Sequence, residues 1–252
     1  MILIKLGGSV ISNKNKPFSF NDGVVKNIAS ELKKFYPKKK FIIIHGGGSF
    51  GHPLAKKYGI RNGLDGKEKL IGFSHTHQAM LDLNKKIIEI FLEKELPAFS
   101  ISPSSIFITD NGKIVYGGIK IIEEAIEINL IPVLFGDVVI DVSKKIDILS
   151  GDAIMSYLAS MLDVEKAIFL MDVDGIYDRS PNDEKARLID ELNEEAKISA
   201  IEGKFDVTGG IKNKIREAMK MDCIVYFING LDEGNLTKAI EGKKVGTIKK
   251  GK

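Results

Sequence analysis

The chain has 252 residues, 44% of them hydrophobic, and its 37 Lys and Arg against 34 Asp and Glu give a formal net charge of +3. That much apolar material supports a substantial core, as one large α/β domain or two intimate lobes. The lysines are spread along the chain rather than blocked, which argues against a nucleic-acid partner and suits small anionic substrates.

A single cysteine, Cys223, excludes a disulfide framework, fits a reducing cytoplasm, and reads as a small buried hydrophobe. Met1 leads straight into a strand-like run without a charged leader. No apolar run approaches the roughly 18 residues of a membrane span, so neither a signal peptide nor a membrane partner is expected.

In chain order, Ile2–Lys5 reads as a strand that runs into Lys5-Leu6-Gly7-Gly8-Ser9. Val24, Ile28, Leu32 and Phe35 then recur at helical spacing, with Pro37 closing the helix. A second strand, Phe41–His45, enters the turn His45-Gly46-Gly47-Gly48-Ser49-Phe50-Gly51-His52. Gly59–Lys67 reads as a mobile loop, followed by a long helix over His75–Leu92 that turns Ala79, Met80, Leu83, Ile87, Ile90 and Phe91 inward.

Ala98–Ile101 and Ile131–Phe135 are further strands, and Val138–Asp141 with Ile146–Leu149 forms a hairpin beside the main sheet. Helices over Asp152–Leu162 and Ile211–Met219 flank the strand Ala167–Met171, and Ile224–Ile228 is the last strand. Arg179–Lys185 is a second loop. Several strands are apolar at nearly every position, as strands covered on both faces of a parallel sheet must be. Such alternation predicts an α/β fold, a three-layer αβα sandwich around a mainly parallel open sheet, as one domain over 1–252.

Two glycine turns directly follow strands, and a third, Val207-Thr208-Gly209-Gly210, precedes a helix. Glycines at a strand end place bare backbone N–H groups near a helix N-terminus, where no Cβ blocks a phosphate and the dipole favours an anion. Two familiar readings fail at named positions. Gly46-x-Gly48-x-x-Gly51 matches a dinucleotide fingerprint, but no strand ending in a ribose-binding acid follows at the required distance. Gly46-x-x-x-x-Gly51-His52 approaches a P-loop but lacks its Lys-Ser/Thr.

Taken together, Lys5-Leu6-Gly7-Gly8-Ser9, the triple glycine, Asp172-Val173-Asp174-Gly175-Ile176-Tyr177 and Val207-Thr208-Gly209-Gly210 resemble the amino acid kinase superfamily, in that order. Within it, the glycine run ending Gly51-His52, with Ser150-Gly151-Asp152 and Asp206-Val207-Thr208-Gly209-Gly210, is similar to the isopentenyl phosphate kinases. Acetylglutamate kinases share the triple glycine without the Gly-His, whereas fosfomycin kinases share the histidine.

The resemblance implies a homodimer that moves a phosphoryl group from magnesium–ATP to isopentenyl phosphate. The acceptor would sit in an N-terminal lobe, about 1–150, and ATP in a C-terminal lobe, about 151–252. It implies that Lys5, Gly7, Gly8 and Ser9 meet the ATP phosphates, with Gly48, Asp172, Gly210 and Lys214 also at the nucleotide. Lys14 would stabilise the transferring group, Gly47, His52 and Gly151 would hold the acceptor, and Asp152 would organise the lysines. No dedicated protein metal site is implied. One departure is Ala153, where family members often carry a second acid.

The chemistry is consistent with that set. Phosphoryl transfer needs positioning and charge neutralisation more than covalent help, and a phosphate monoester is already an ionised nucleophile at neutral pH. A donor such as histidine can orient it without a general base. Asp152 at a helix start reads equally as an N-cap. His45, ending a buried strand, reads as a packed residue bonded to a carbonyl, and His75 and His77 point to different faces of one helix. Phe73, Met80, Leu83 and Ile87 read as core or as the wall of a prenyl-sized pocket. Three other readings stay open: another small-molecule kinase such as a fosfomycin kinase, a non-catalytic nucleotide-binding module, and a dinucleotide oxidoreductase.

Overall fold

The structure, a computed structural model, describes residues 1–13, 15–193 and 209–251. Its first half runs β1 (Ile2–Leu6), α1 (Gly8–Ile11), α2 (Asp22–Lys33), β2 (Phe41–His45), α3 (Gly48–Lys57), a 3-10 turn (Ile60–Asn62), α4 (Lys67–Glu93), β3 (Ala98–Ser100), α5 (Pro103–Ile106), β4 (Phe107–Asp110) and β5 (Lys113–Gly117). The second half runs α6 (Ile119–Glu127), β6 (Ile131–Phe135), β7 (Asp137–Asp141), β8 (Lys145–Leu149), α7 (Gly151–Met161), β9 (Lys166–Met171), α8 (Gly209–Ala218), β10 (Ile224–Asn229), α9 (Asn235–Ile240) and β11 (Thr247–Lys249).

All five residues of β1 are buried, and side chains leave a strand on alternate faces. Ile2, Ile4 and Leu6 therefore enter one apolar cluster and Leu3 another. β2 repeats the split, with Phe41 and Ile43 on one side and Ile42 and Ile44 on the other. The first cluster is closed by Val10 of α1, Ile28 of α2, Phe50 of α3, Leu83 of α4 and Leu236 of α9. The second is closed by Ile122 of α6, Leu158 of α7 and Ile215 of α8. These two clusters are the interlayer spaces of an αβα sandwich, as the sequence pattern requires.

The main sheet has the order β11-β10-β9-β1-β2-β6-β3, parallel throughout except for β11. The expected hairpin is β7 and β8, antiparallel from Asp137↔Leu149 to Asp141↔Lys145. It belongs to a second sheet of order β5-β4-β7-β8.

Two stretches depart from the sequence reading. α4 begins at Lys67 rather than His75, because Gly72 acts as a contact and not as a breaker: a Cβ there would lie 2.2 Å from Tyr58 Cγ. The Gly59–Lys67 segment, read as a loose loop, is held by Leu64 N–H donating to Lys144 O at 2.9 Å and Lys69 Nζ donating to Gly63 O at 2.9 Å.

Candidate active site

In a parallel sheet the carboxyl ends of the strands share one edge, and ligands bind there. β1, β2, β6 and β9 all deliver that end to one cavity of about 930 Å3. The first two strands exit into α1 and α3 through glycine turns that press on each other. A Cβ on Gly8 would lie 2.9 Å from the backbone of Gly48, and one on Gly48, at φ +48°, would lie 2.2 Å from Ser12 Oγ. Ser12 fastens the junction: its hydroxyl donates to Gly8 O at 2.7 Å and accepts from Ser49 N–H at 2.9 Å.

Lys5, Gly7, Gly8, Ser9, Gly47, His52, Gly151, Asp152, Asp172, Gly210 and Lys214 all line this one cavity. Gly48 does not; it is buried behind the glycine junction. Lys14 and Asp206–Thr208 lie outside the described residues.

At the centre lies a three-member charge cluster. Lys5 Nζ is 2.7 Å from Asp152 Oδ1, and Lys214 Nζ is 3.3 Å from both Asp152 oxygens. Asn213 Nδ2 donates to Asp152 Oδ2 at 3.5 Å. Burial pushes the Asp152 carboxyl up, but the pull of Lys5 and Lys214 overcomes it and holds the group below its ordinary value. Lys214 moves the other way. Burial, reinforced by the charge of Lys5, lowers it from 10.5 to about 8 against the attraction of Asp152. Two cations thus share one anion in a water-poor setting, a surplus of positive charge that an anionic ligand relieves.

Asp152 does not cap α7. The cap is Ser150, whose Oγ accepts Ala153 N–H at 3.1 Å, and this frees the Asp152 carboxylate for the lysines. His52 is not at a helix start either, because α3 begins at Gly48 and places His52 one turn in, exposed and bordering the cavity.

Around His52 the cavity is lined by Ala55, Met80, Val138, Ile148 and Leu149, with Thr76 and Arg61 among the polar positions. Of the apolar helix positions singled out earlier, Met80 reaches the cavity, Leu83 and Ile87 stay in the core, and Phe73 packs in a small cluster with Ile60 and Val138. On the far side of the charge cluster lie Tyr177, Arg179 and Asn182 of the segment after β9, with Gly210 and Arg216 of α8. A Cβ on Gly210 would meet nothing within 4 Å among the described residues.

His45 is fully buried between Gly46 O and Asn84 Oδ1, at 3.1 and 3.2 Å, and burial lowers its pKa to about 4, so it is a neutral packing group. His75 stacks on Tyr58 while His77 bonds Asp137, on different sides of α4. Cys223 is only half-buried. Gly136 and Asp137 escaped the sequence reading although their signal is the same as elsewhere, a wholly buried strand that ends in glycine.

A profile of the amino acid kinase family matches residues 1–221. The chain belongs to that family. The isopentenyl phosphate kinase of Methanocaldococcus jannaschii is 37% identical across 98% of this chain and 97% of its own length. That of Methanothermobacter thermautotrophicus is 35% identical, with 97% of each covered. A crystal structure of isopentenyl phosphate kinase superposes with a TM-score of 0.86 at 32% identity, covering 98% of this chain and 99% of the other. As an amino acid kinase family member with these relatives, the chain is a phosphotransferase, and the lysine–aspartate cluster lines the same cavity as its glycine turns.

Proposed function

We propose that the chain transfers the γ-phosphoryl group of ATP to the terminal phosphate of isopentenyl phosphate, giving isopentenyl diphosphate and ADP. The observation that carries this is one continuous cavity with Lys5, Asp152 and Lys214 at its waist, His52 beside an apolar wall on one side, and a polar segment after β9 on the other. An acceptor with a phosphate head and a short hydrocarbon tail matches the first side. The wall of Ala55, Met80, Val138, Ile148 and Leu149 suits a hydrocarbon tail better than a sugar or an amino acid.

In this reading an acceptor phosphate oxygen attacks Pγ while the bond from Pγ to the β-bridging oxygen breaks, and ADP leaves with that electron pair. The acceptor phosphate is ionised at neutral pH, its second pKa being about 6, so no side chain has to remove a proton. His52 and the backbone of Gly47 and Gly151 orient the acceptor. Gly7, Gly8, Ser9, Asp172 and Gly210 receive the nucleotide, whose Mg2+ arrives as its counter-ion, and Gly48 shapes the phosphate turn from behind. Lys5 and Lys214 neutralise charge as it shifts from γ- to β-oxygens, with Asp152 fixing both. Lys14 is assigned to the transferring group by family resemblance alone.

The reading includes an acceptor-binding N-terminal part and a nucleotide-binding C-terminal part of a homodimer in the cytoplasm. A coupled ADP-release assay with isopentenyl phosphate, fosfomycin and N-acetylglutamate tests it. Turnover is expected with the first and little with the last. Robust activity on acetylglutamate with none on the prenyl phosphate overturns the acceptor assignment.

A further inference from the structure

Asp137 is a carboxylate in an unexpected place, bordering the acceptor side of a cavity that takes anions. Its side chain is wholly buried, and it stands where β6 turns into β7. Oδ1 accepts Val138 N–H at 2.8 Å, and Oδ2 lies 2.8 Å from Nδ1 of His77 on α4. Ser104 of α5 brings a hydroxyl to 3.5 Å from the same His77 nitrogen, and β8 places apolar Leu149 opposite. His77 and Asp137 are the titratable groups that act on each other here, with the Ser104 hydroxyl also bonding the carboxylate.

The carboxylate has a local task. It ties down a corner whose Gly136 N–H donates to His45 O at 2.9 Å, and whose Gly136 packs so closely on the start of α7 that a Cβ would lie 3.1 Å from Gly151 N. An uncompensated charge at that corner would act through a poorly screened medium on any phosphate held nearby.

We propose that His77 is a positioning residue that acts through Asp137: its imidazolium cancels the charge of the buried carboxylate, so that the acceptor wall meets a phosphate dianion as a neutral surface. This rests on the reading of the cavity as an acceptor-phosphate site. The hydrogen bond to Asp137 raises the His77 pKa above its ordinary value against the opposing effect of burial. Burial pushes the Asp137 carboxyl up against the pull of His77, Val138 N–H and the Ser104 hydroxyl, so the carboxylate depends on these partners for its charge.

The test compares wild type, His77→Gln, Asp137→Asn and the double variant, with MgATP and isopentenyl phosphate at about pH 6.5, where a histidine of raised pKa is mainly protonated and a phosphate monoester of second pKa about 6 is mainly dianionic. Asp137→Asn keeps an oxygen for Val138 N–H while removing the charge. His77→Gln should raise the acceptor KM on the order of tenfold, with smaller changes in kcat and in the ATP KM. Asp137→Asn should be less impaired than His77→Gln, and the double variant should recover to within about twofold of Asp137→Asn. A double variant as impaired as His77→Gln, or worse, overturns the proposal, because a purely structural bond gives no such rescue.

Should His77→Gln fail to fold, the His77 imidazole is titrated by NMR in wild type and Asp137→Asn. A drop in its pKa on loss of the carboxylate supports the pair, and an unchanged titration overturns it. If wild type does not turn over isopentenyl phosphate, the acceptor assignment fails by itself. The same series is then read on inorganic phosphate binding by calorimetry, where loss in His77→Gln and recovery in the double variant support the charge cancellation, and no difference overturns it.

Discussion

His52 emerges from the first full turn of α3, so its ring is carried by a rigid element and not by a loop. His52→Ala should abolish or severely reduce turnover while ATP binding by calorimetry stays nearly intact. His52→Gln retains an N–H donor and should keep more activity, impaired by roughly one to two powers of ten if a charge-assisted bond is lost. Normal acceptor kinetics with a lowered melting temperature in both variants would remove His52 from the site.

Lys214 makes a different prediction, because its pKa is pushed down to about 8. The free enzyme loses this ammonium as pH rises, so kcat/KM for ATP should fall through about pH 8, while bound phosphates keep the proton on and move the fall in kcat to higher pH. Stability has the opposite sign. Between about 8 and 10.5 the folded chain binds fewer protons than the unfolded one, so stability rises with pH across that window. Below it the buried ammonium is a standing cost. Lys214→Met should therefore lose about a hundredfold or more in kcat and yet melt about 2–4 °C higher at pH 7. A lower melting temperature would mean that the bonds to Asp152 outweigh the cost of burial.

At this scale the sequence was informative wherever chemistry follows from backbone shape. Gly7, Gly8 and Gly47 stand out because strand exits into glycine are rare and purposeful. Thr76 and Arg61 do not stand out, since nothing in their neighbours along the chain indicates that α4 and the Ile60–Asn62 turn will carry them to the same cavity.

Among the elements, α9 is the least legible and the most instructive. Six residues, Asn235–Ile240, are too few to hold a helix through propensity, and no periodicity announces them. The helix is held from outside at both ends. Buried Glu31 of α2 accepts Gly234 N–H at 3.1 Å, Thr237 N–H at 2.7 Å and the Thr237 hydroxyl at 2.6 Å. Lys166 of β9 donates to Ile240 O at 2.8 Å. A carboxylate at the start and an ammonium at the end match the helix dipole. Glu31→Ala should cost about 2 kcal/mol, or about 4–8 °C in melting temperature, with acceptor and ATP kinetics unchanged. A change in either KM would tie α9 to the site.

The β4–β5 hairpin was missed for a different reason, because its signal was present. Asn111 and Gly112 take positive φ of 47° and 77° at its turn, the Asn-Gly pair that a tight hairpin prefers. Alternation beside it is real but short, with Phe107 and Thr109 buried and Ile108 exposed.

Over the whole molecule, the proposed division of roles near residue 150 does not divide folding units. It cuts the main sheet between β1 and β9, across five paired positions from Ile2↔Lys166 to Leu6↔Leu170. It also parts Lys5 from Asp152. Thermal unfolding should accordingly show one transition, coincident by far-ultraviolet circular dichroism and by near-ultraviolet tyrosine signal, and a fragment of residues 1–150 should not fold by itself. Two well-separated transitions would show that the lobes are autonomous. The layered class was legible because a parallel sheet needs apolar strands. The strand order was not, since every central strand carries much the same pattern.

The central place of β1 also has a consequence in time. β2 offers it a neighbour within about forty residues of synthesis, but β9 follows only about 160 residues later. At synthesis rates of about 5–20 residues per second, one side of the strand that carries Lys5 waits roughly ten to thirty seconds for its partner. Through that interval the growing chain holds a bare, largely apolar sheet margin, and Lys5 has no carboxylate beside it until Asp152 has been made. Nascent chains stalled before β9 should therefore be the species that nascent-chain chaperones capture.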